Sequence, residues 1–334
     1  MSGKATVVAP ANIAFIKYWG AKDLDQAVPV NTSVSMTLSE CTSLSTVEFL
    51  DGGDGPDRIE IVGDGGSLTL PDAAFRERIE RHLERVRRWT GRAGRFRVAT
   101  RNSFPTGAGL ASSASGFAAL AIASTRALGL TLDVPELSTL ARMSGSGSAA
   151  RSVLGGYVEW SWDGGPGGHA TSLASASHWD LRDVIAIVET GTKEVSSLEG
   201  HRRAPSSPHY EARLSALPAR LDTVRRAIAA RDLSMLGPVL EEEAIELHLI
   251  AMSSRPPIFY WKPGTLRVLE ALRRGRETGL AAWATMDAGA NVHVICTPSA
   301  EKEVVRILES VAEVADVVLD GVGQGPREER EHLF

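Results

Sequence analysis

The segment NSFPTGAGLASSASG, residues 102–116, constrains the fold of this chain more than any other. The strand-like sequence RFRVATRN at 95–102 leads into it, and an Ala-rich apolar helix pattern follows at roughly 109–128. Glycines let a backbone approach an anion closely, and a helix N-terminus offers free N–H groups and the positive end of the helix dipole. This order predicts a phosphate-binding loop; a tight turn that allows close helix packing is the alternative.

Two common nucleotide motifs do not describe this loop. The chain contains no G-x-x-x-x-G-K-[ST] sequence, so the loop is not a Walker A motif. The fragment G-A-G-L-A-S approaches the dinucleotide fingerprint, but Ser112 stands where the third glycine belongs and no clear acidic partner for a ribose follows on a second strand.

A second Gly/Ser cluster, SGSGSAARSVLGG, occupies residues 144–156 and places Ser146, Ser148 and Arg151 close together in sequence. Hydroxyl groups and a guanidinium recognise carboxylates and phosphates through charge-assisted hydrogen bonds. The cluster therefore indicates an anion site, and a flexible turn with a surface arginine is the alternative.

Two further segments each contain a charged residue that could take part in chemistry. In NIAFIKYWGAKD at 12–23, Lys17 lies in an apolar run, where it needs an anionic partner unless it snorkels to the surface. In TMDAGANVHV at 285–294, Asp287 separates two predicted strands. Asp287 is either an ordinary turn residue or a group that orients or deprotonates a hydroxyl.

Composition excludes several other classes. Thirty-six Lys and Arg against 41 Asp and Glu give a net charge of −5, which argues against a nucleic-acid binder. Cys41 and Cys296 have no C-x-x-C partner, which excludes a disulfide framework and favours a reducing, cytoplasmic compartment. The uncharged stretch 103–125 has few bulky apolar residues, and we expect a buried helix there rather than a membrane span. No H-E-x-x-H or G-x-S-x-G motif occurs, and we expect His248 to be a core or surface residue.

The length of 334 residues predicts two domains. A breaker-rich region at 162–177 precedes the expected boundary, so we predict domains at 1–178 and 179–334. Strands that return around helices favour an α+β fold over a doubly wound parallel sheet. The periodicity predicts helices from 71 onward and at 109–128, 135–143, 208–231, 232–252, 263–278 and 298–312, and strands at 6–9, 33–38, 43–50, 95–102, 153–162, 183–190, 280–286, 292–296 and 316–320.

Taken together, the four segments resemble the ATP-dependent mevalonate diphosphate decarboxylases of the GHMP kinase superfamily. The patterns N-I-A-x-x-K-Y-W-G, F-P-T-x-x-G-L-A-S-S-A, G-S-G-S-A-x-R-S-x-x-G-G and D-A-G-x-N occur here in the family's order, from Ala9 to about Asn291. The superfamily's kinases share the Gly/Ser loop but not K-Y-W-G or D-A-G-x-N in this form.

The resemblance implies a GHMP kinase fold: an N-terminal domain like domain 2 of ribosomal protein S5 that holds ATP, a C-terminal ferredoxin-like domain, and an active site in the cleft. It also implies Mg²⁺, a small-molecule substrate and a homodimer, whereas the expectation of no nucleic-acid or membrane partner comes from the composition. By this likeness Ser112 lies near Mg²⁺, and the residues that bind ATP are Asn102, Pro105, Gly107, Ala108, Gly109, Leu110, Ala111, Ser112 and Ser113.

The resemblance also implies roles for the other motif residues. Asp287 matches the family's catalytic aspartate, which faces the tertiary 3-hydroxyl of a phosphorylated mevalonate, and Lys17 matches the lysine beside it. The positions that bind the substrate's carboxylate and 5-phosphate are matched by Tyr18, Ser146, Ser148 and Arg151. In this reaction ATP phosphorylates the hydroxyl, and loss of that phosphate drives release of CO₂ to leave an alkene.

Two departures from the family's pattern concern the substrate's phosphate tail. Members that use the diphosphate read K-Y-W-G-K, whereas this chain has Ala21 there and Lys22 one position later. The segment V-S-S-x-x-G-M reads VSSLEGH, so His201 replaces the methionine. One cation fewer suggests mevalonate 5-phosphate as the substrate and isopentenyl phosphate as the product. The alternatives are the diphosphate, with Lys22 or His201 supplying the contact, a kinase that stops at the 3-phosphate, and a non-catalytic relative.

Overall fold

The computed structural model describes residues 3–52, 55–104, 112–144, 146–162, 164–165, 167–191 and 193–334, without the side chains of residues 64 and 112. The helices are α1 (Ala73–Thr90), α2 (Ser112–Ala127), α3 (Val134–Met143), α4 (Ser197–Arg203), α5 (Tyr210–Ala230), α6 (Leu233–Ser253), α7 (Pro263–Glu277) and α8 (Glu301–Glu309). The strands are β1 (Gly3–Ile16), β2 (Ala21–Asp23), β3 (Val28–Pro29), β4 (Ser33–Asp51), β5 (Arg58–Val62), β6 (Leu68–Thr69), β7 (Gly94–Asn102), β8 (Tyr157–Trp160), β9 (Ala170–Ala174), β10 (Arg182–Ile187), β11 (Ala282–Thr285), β12 (Val292–Cys296), β13 (Asp316–Gly321) and β14 (Arg327–Glu329).

The larger sheet is built on β1 and β4, which pair antiparallel along almost their whole length. Its order is β14-β1-β4-β7-β5-β6, and β8 pairs with the first part of β4 and with β9. The core on one side of this sheet joins strand residues such as Val47 and Val98 to Leu83 of α1 and Phe117 of α2. Strand β1 ends at Ile16, so Lys17 is the first residue after it.

The second sheet is antiparallel, in the order β11-β12-β10-β13. On one face, Val184 and Val294 pack with Val268 of α7 and other residues of the second half. Inward residues of the other face, such as Ile185 and Ile295, belong to a core that also contains residues of β1 and β4. This arrangement confirms the predicted α+β class.

The structure corrects the prediction of separate strands at 33–38 and 43–50, because β4 is one strand of 19 residues. The carboxylate of Asp320 on β13 accepts hydrogen bonds from the backbone N–H groups of Ser39 (2.6 Å), Glu40 (3.0 Å) and Cys41 (2.8 Å). The polar residues at 39–41 led to the prediction of a break between two strands. The strand continues because the carboxylate of Asp320, distant in sequence, accepts hydrogen bonds from their N–H groups.

The end of the chain returns to the first sheet. Strand β14 pairs antiparallel with β1, Arg327 lying opposite Val8. Beyond it, the N–H of Leu333 donates to the hydroxyl of Thr46 at 3.0 Å. Residues after 326 therefore lie on the sheet formed by the first half. The sequence did not predict β14, because a strand of three residues is too short to show a periodic pattern.

Among the described residues, no helix has the length and apolar character needed to cross a membrane. The part of the uncharged stretch 103–125 that is described contains most of α2, and Ala114, Phe117 and Ala118 of that helix are buried in the core. Cys41 and Cys296 are free and buried. The described residues also contain no cluster of three or more His, Cys, Asp or Glu side chains that could hold a metal ion.

Candidate active site

Lys17 and Asp287 form an ion pair between the two halves of the chain. Lys17 follows the last residue of β1, and Asp287 lies in the loop between β11 and β12. The Nζ of Lys17 donates to Oδ1 of Asp287 at 2.9 Å. The lysine side chain is 1% exposed and the aspartate side chain 30% exposed. Lys17 is therefore not a snorkelling surface lysine, and the anionic partner that its apolar setting demands is Asp287.

The two charges shift each other's protonation. Burial lowers the pKa of Lys17, and Asp287 opposes that effect. Burial by itself would raise the pKa of Asp287, but the ammonium of Lys17 outweighs it and leaves the pKa below the usual value. Asp287 is consequently an ionised carboxylate at neutral pH, ready to accept a hydrogen bond from a hydroxyl group.

Arg151 is buried rather than on the surface, and it is near enough to Asp287 for the two charges to interact. Its side chain is 2% exposed. Nε donates to the hydroxyl of Ser35 at 2.9 Å, Nη1 to that of Ser33 at 2.5 Å, and Nη2 to Oδ1 of Asn12 at 3.0 Å. Burial lowers the pKa of Arg151 to about 10, so the guanidinium remains charged at neutral pH. The alternative of a flexible turn with a surface arginine is wrong.

The two Gly/Ser segments meet at their hydroxyl groups. Ser113, in the first turn of α2, lies 3.0 Å from Ser146 between Oγ atoms, and Ser146 lies 3.1 Å from Ser148. A Cβ atom on Gly147 would come within 2.4 Å of the ring of Tyr18, so glycine is required for this approach. The three hydroxyls and the helix N-terminus form a group of hydrogen-bond donors suited to an anion.

Two aromatic rings flank His201, which lies on α4. Its ring centroid is 4.3 Å from that of Tyr18 and 4.8 Å from that of Trp19. Burial lowers the pKa of His201 to about 4, and its Nδ1 has no hydrogen-bond partner among the described residues. At neutral pH this imidazole is uncharged.

The other residues predicted for ATP or for the substrate's phosphate tail lie at the ends of β7 and α2, on β2, or outside the described residues. Asn102 ends β7 and accepts a hydrogen bond from the hydroxyl of Ser43 at 2.6 Å. Ser112 begins α2, and its side chain is outside the description. Ala21 and Lys22 lie on β2, where Lys22 is exposed. The predicted ATP-binding residues Pro105, Gly107, Ala108, Gly109, Leu110 and Ala111 lie outside the described residues.

Three charged residues near the site were missed by the sequence analysis. Glu243 and Arg213 contact the backbone of Lys17, and Lys193 lies close enough to Asp287 for the carboxylate to oppose the lowering of its pKa by burial. A signal existed for Glu243, because it shares the buried face of α6 with Leu240 and Leu247. A charged residue on an apolar helical stripe requires a buried partner.

Comparison with known proteins covers nearly the whole chain. The family model described as the diphosphomevalonate decarboxylase-like N-terminal domain matches residues 9–174. The model for the mevalonate 5-diphosphate decarboxylase C-terminal domain matches residues 183–330.

Two curated relatives are similar over their full length. The diphosphomevalonate decarboxylase of Candida albicans is 30% identical, over 98% of this chain and 99% of its own length. The phosphomevalonate decarboxylase of Haloferax volcanii is 33% identical, over 99% of this chain and 100% of its own.

Solved structures show the same fold. The mevalonate diphosphate decarboxylase of Staphylococcus aureus aligns with a TM-score of 0.91 and 30% identity, over 99% of both chains. A structure of MDDEF in complex with MVAPP, AMPPCP and magnesium aligns with a TM-score of 0.89 and 33% identity, over 98% of this chain and 99% of that one. With both family models matched in order and this likeness across the whole fold, the chain belongs to the diphosphomevalonate decarboxylase family, the ATP-dependent decarboxylases of the GHMP kinase fold.

Proposed function

We propose that this chain decarboxylates a 5-phosphorylated mevalonate with ATP, that mevalonate 5-phosphate is the preferred substrate, and that isopentenyl phosphate is the product. The observation that carries the reaction class is the ion pair of buried Lys17 with partly exposed Asp287, 2.9 Å between charged atoms, near the buried guanidinium of Arg151. An ionised carboxylate flanked by two cations suits a reaction in which a hydroxyl must be oriented and negative charge must be stabilised.

The donors around α2 fit a nucleotide phosphate. Helix α2 begins at Ser112, and the hydroxyls of Ser113 and Ser146 meet beside that N-terminus. We assign the loop 105–111, with Asn102, Ser112 and Ser113, to ATP, and the Ser112 hydroxyl to Mg²⁺, which commonly takes most of its ligands from phosphates and water. Bound MgATP would supply the phosphoryl group that makes the tertiary hydroxyl a leaving group.

Asp287 and Lys17 divide the work at the reacting hydroxyl. Lys17 engages Oδ1 of Asp287, and we assign Oδ2 to the 3-hydroxyl of the substrate, which it orients and from which it takes the proton during phosphorylation. The phosphate then leaves with the electrons of the C–O bond, and the electrons of the bond to the carboxylate form the alkene as CO₂ departs. Lys17 and Arg151 stabilise the negative charge that moves in these steps.

The substrate's two ends have separate partners in this proposal. Arg151, Ser146 and Ser148 provide a cation and hydroxyl donors for the carboxylate and the 5-phosphate, and the Tyr18 ring closes the cluster above Gly147. Burial raises the pKa of Tyr18, so its phenol stays protonated and able to donate a hydrogen bond.

The proposed preference for the monophosphate rests on the positive charges that this chain lacks where the substrate's phosphate tail would bind. The lysine expected after K-Y-W-G is Ala21, and Lys22 is exposed, on the opposite side of β2 from its neighbours. The other departure, His201, has a pKa of about 4 and carries no charge at neutral pH. One phosphate needs fewer cations than two, and the full-length likeness to the Haloferax volcanii phosphomevalonate decarboxylase also supports this substrate.

The second candidate is mevalonate 5-diphosphate. Relatives of similar identity, among them the Candida albicans protein, are named for that substrate. An assay of ADP and CO₂ release on both substrates with MgATP decides between them by kcat/KM, and ADP release without CO₂ would instead identify a kinase that stops at the 3-phosphate. We expect the monophosphate to be preferred; preference for the diphosphate overturns the substrate assignment.

The variant Ala21→Lys tests the reason for the preference. A cation at this position should favour the diphosphate, and one charge-assisted hydrogen bond corresponds to a change of about 10-fold to 100-fold in the ratio of kcat/KM values. Lys22→Ala is the matched control and should leave the ratio unchanged. An unchanged ratio in Ala21→Lys, or a lost diphosphate activity in Lys22→Ala, contradicts the specificity argument.

The boundary between residues 178 and 179, a homodimer and a cytoplasmic location belong to the same proposal. The interval between the two matched family models, 175–182, supports the boundary. Light scattering after size-exclusion chromatography tests the dimer, for which we expect twice the chain mass of 35.6 kDa.

A further inference from the structure

We infer that Glu243 and Arg213 are positioning residues that hold the backbone of Lys17 in the geometry its ammonium needs at the reacting hydroxyl. This inference rests on the proposed function, because it concerns how Lys17 is presented to that reaction. Glu243 lies on α6 and Arg213 on α5, both in the second half of the chain.

The two side chains hold both peptide groups of Lys17. Oε2 of Glu243 accepts from the N–H of Lys17 at 2.9 Å, and Nη2 of Arg213 donates to the carbonyl of Lys17 at 2.8 Å. Arg213 also donates from Nε and Nη2 to the two carboxylate oxygens of Glu243, each at 2.9 Å. The Asn31 amide makes a further bond to the Lys17 carbonyl at 3.0 Å.

This arrangement occurs where the sheet stops providing partners. The pairing of β1 with β4 ends at Ile16 opposite Val34, so Lys17 is the first residue beyond the ladder. A buried peptide without partners is costly. Glu243 and Arg213 replace the missing strand, and they fix the position from which the Lys17 side chain reaches Asp287.

The ion pair between Arg213 and Glu243 is completely buried, with both side chains 0% exposed. Such a pair is weak evidence for stability, because apolar side chains of similar volume often serve as well. What apolar side chains do not provide is a carboxylate and a guanidinium directed at one peptide. Nη1 of Arg220 also donates to Glu243 at 3.1 Å, and the arginines hold the pKa of Glu243 below its usual value although burial alone would raise it.

Glu243 also acts on Lys17 through its charge. The titratable and charged groups that face Lys17 come from five parts of the fold: Asp287 after β11, Glu243 and His248 on α6, Arg213 on α5, Asp183 on β10, and Arg151 after the turn at 147–150. Burial lowers the pKa of Lys17, whereas Glu243 raises it. Loss of that negative charge therefore moves the deprotonation of Lys17 to lower pH.

Two single variants separate the geometric contribution from the charge. Arg213→Lys keeps the positive charge but not the planar fork that reaches both Glu243 and the Lys17 carbonyl. Glu243→Gln removes the negative charge and puts an NH2 group in place of one of the two oxygens that accept from Arg213 and Lys17, so it disturbs the same contacts. We expect kcat to fall about 100-fold in both, as for a catalytic group displaced by about 1 Å, with little change in KM. Only Glu243→Gln should also move the basic limb of the kcat profile to lower pH.

Glu159→Gln is the matched control. Glu159 is a buried glutamate that accepts two hydrogen bonds from Arg225, also on α5, at 2.7 and 2.9 Å, without contacting Lys17. It should retain the kcat and the pH profile of the unaltered protein. An equal loss in Glu159→Gln would show that any arginine pair of a buried glutamate matters, whether or not it contacts Lys17, and it overturns the positioning role.

The double variant Arg213→Met with Glu243→Leu covers the case in which a single variant does not fold, because it leaves no buried charge unpaired. It should fold, as circular dichroism and thermal unfolding would show, and still lose kcat about 100-fold. An unaltered protein that turns over neither mevalonate phosphate contradicts the proposed function. An active protein whose folded variants retain full kcat overturns only the inference made for Glu243 and Arg213.

Discussion

At the scale of single residues, the site depends on one lysine and one carboxylate that are 270 positions apart in the chain. Lys17 is buried, where a lone ammonium is costly, and Asp287 lies in a loop between strands that brings its carboxylate to that ammonium. Together each offsets the cost of the other's desolvation, and the carboxylate stays ionised.

The variant Asp287→Asn removes the charge with little change in shape. We expect kcat to fall on the order of 10²-fold to 10⁴-fold, the usual contribution of a general base, with nearly unchanged affinity for a non-hydrolysable ATP analogue measured by calorimetry. Asp316→Asn, an exposed aspartate on β13, serves as the control. Activity within tenfold of the unaltered protein would show that another group handles the hydroxyl.

At the scale of elements, His82 joins three parts of the first half. It lies on α1 and is fully buried. Its Nδ1 lies 2.5 Å from the hydroxyl of Ser144, which follows α3, and its Nε2 lies 3.0 Å from that of Ser124 on α2. Burial lowers the pKa of His82 to about 3, so the ring is neutral in the folded protein under most conditions.

This gives a pH dependence of stability with a definite sign. From the ordinary histidine pKa of about 6.5 down to about 3, the unfolded chain binds a proton that folded His82 does not, so the free energy of unfolding falls as the pH falls. Urea unfolding between pH 6.5 and 4.5 should show this slope. His82→Gln should reduce it by up to about 1.4 kcal/mol per pH unit. An unchanged slope in a folded His82→Gln protein contradicts the assignment.

At the scale of the whole molecule, the two halves are fastened to each other beyond the active site. Asp320 on β13 caps the backbone of residues 39–41 on β4, β14 extends the first sheet, and one apolar core contains residues of both sheets. We therefore expect the halves to unfold together rather than separately.

Asp320→Asn tests this coupling. The amide has one oxygen where the carboxylate uses two, so even with that oxygen kept on Ser39 and Glu40 the buried N–H of Cys41 loses its acceptor and faces an NH2 group, and the charge that strengthens the other bonds is lost. We expect the free energy of unfolding to fall by about 2–4 kcal/mol in a urea titration, while unfolding remains a single transition. Asp316→Asn on the same strand, which is exposed, should change it by no more than about 0.5 kcal/mol. Two separate transitions in the unaltered protein would contradict the coupling.

The elements that the sequence predicted are those with a long, regular apolar pattern. Helices predicted at 208–231, 232–252 and 263–278 occur within a few residues of those bounds as α5, α6 and α7. The short α4 and strands such as β6 and β14 were not predicted, because a few residues carry too little periodicity.

What the sequence determined by itself were local preferences: which stretches form helices and strands, and which residue types, in the four motifs, suit anions and a reacting hydroxyl. The tertiary structure alone decided which of these residues meet. Lys17 faces Asp287, Glu243 and Arg213 take the place of a strand beside Lys17, and Asp320 keeps β4 continuous. The physical reason is that backbone propensity and hydrophobic period act over a few residues, whereas a buried charge is satisfied by whatever partner the packing brings within hydrogen-bonding distance.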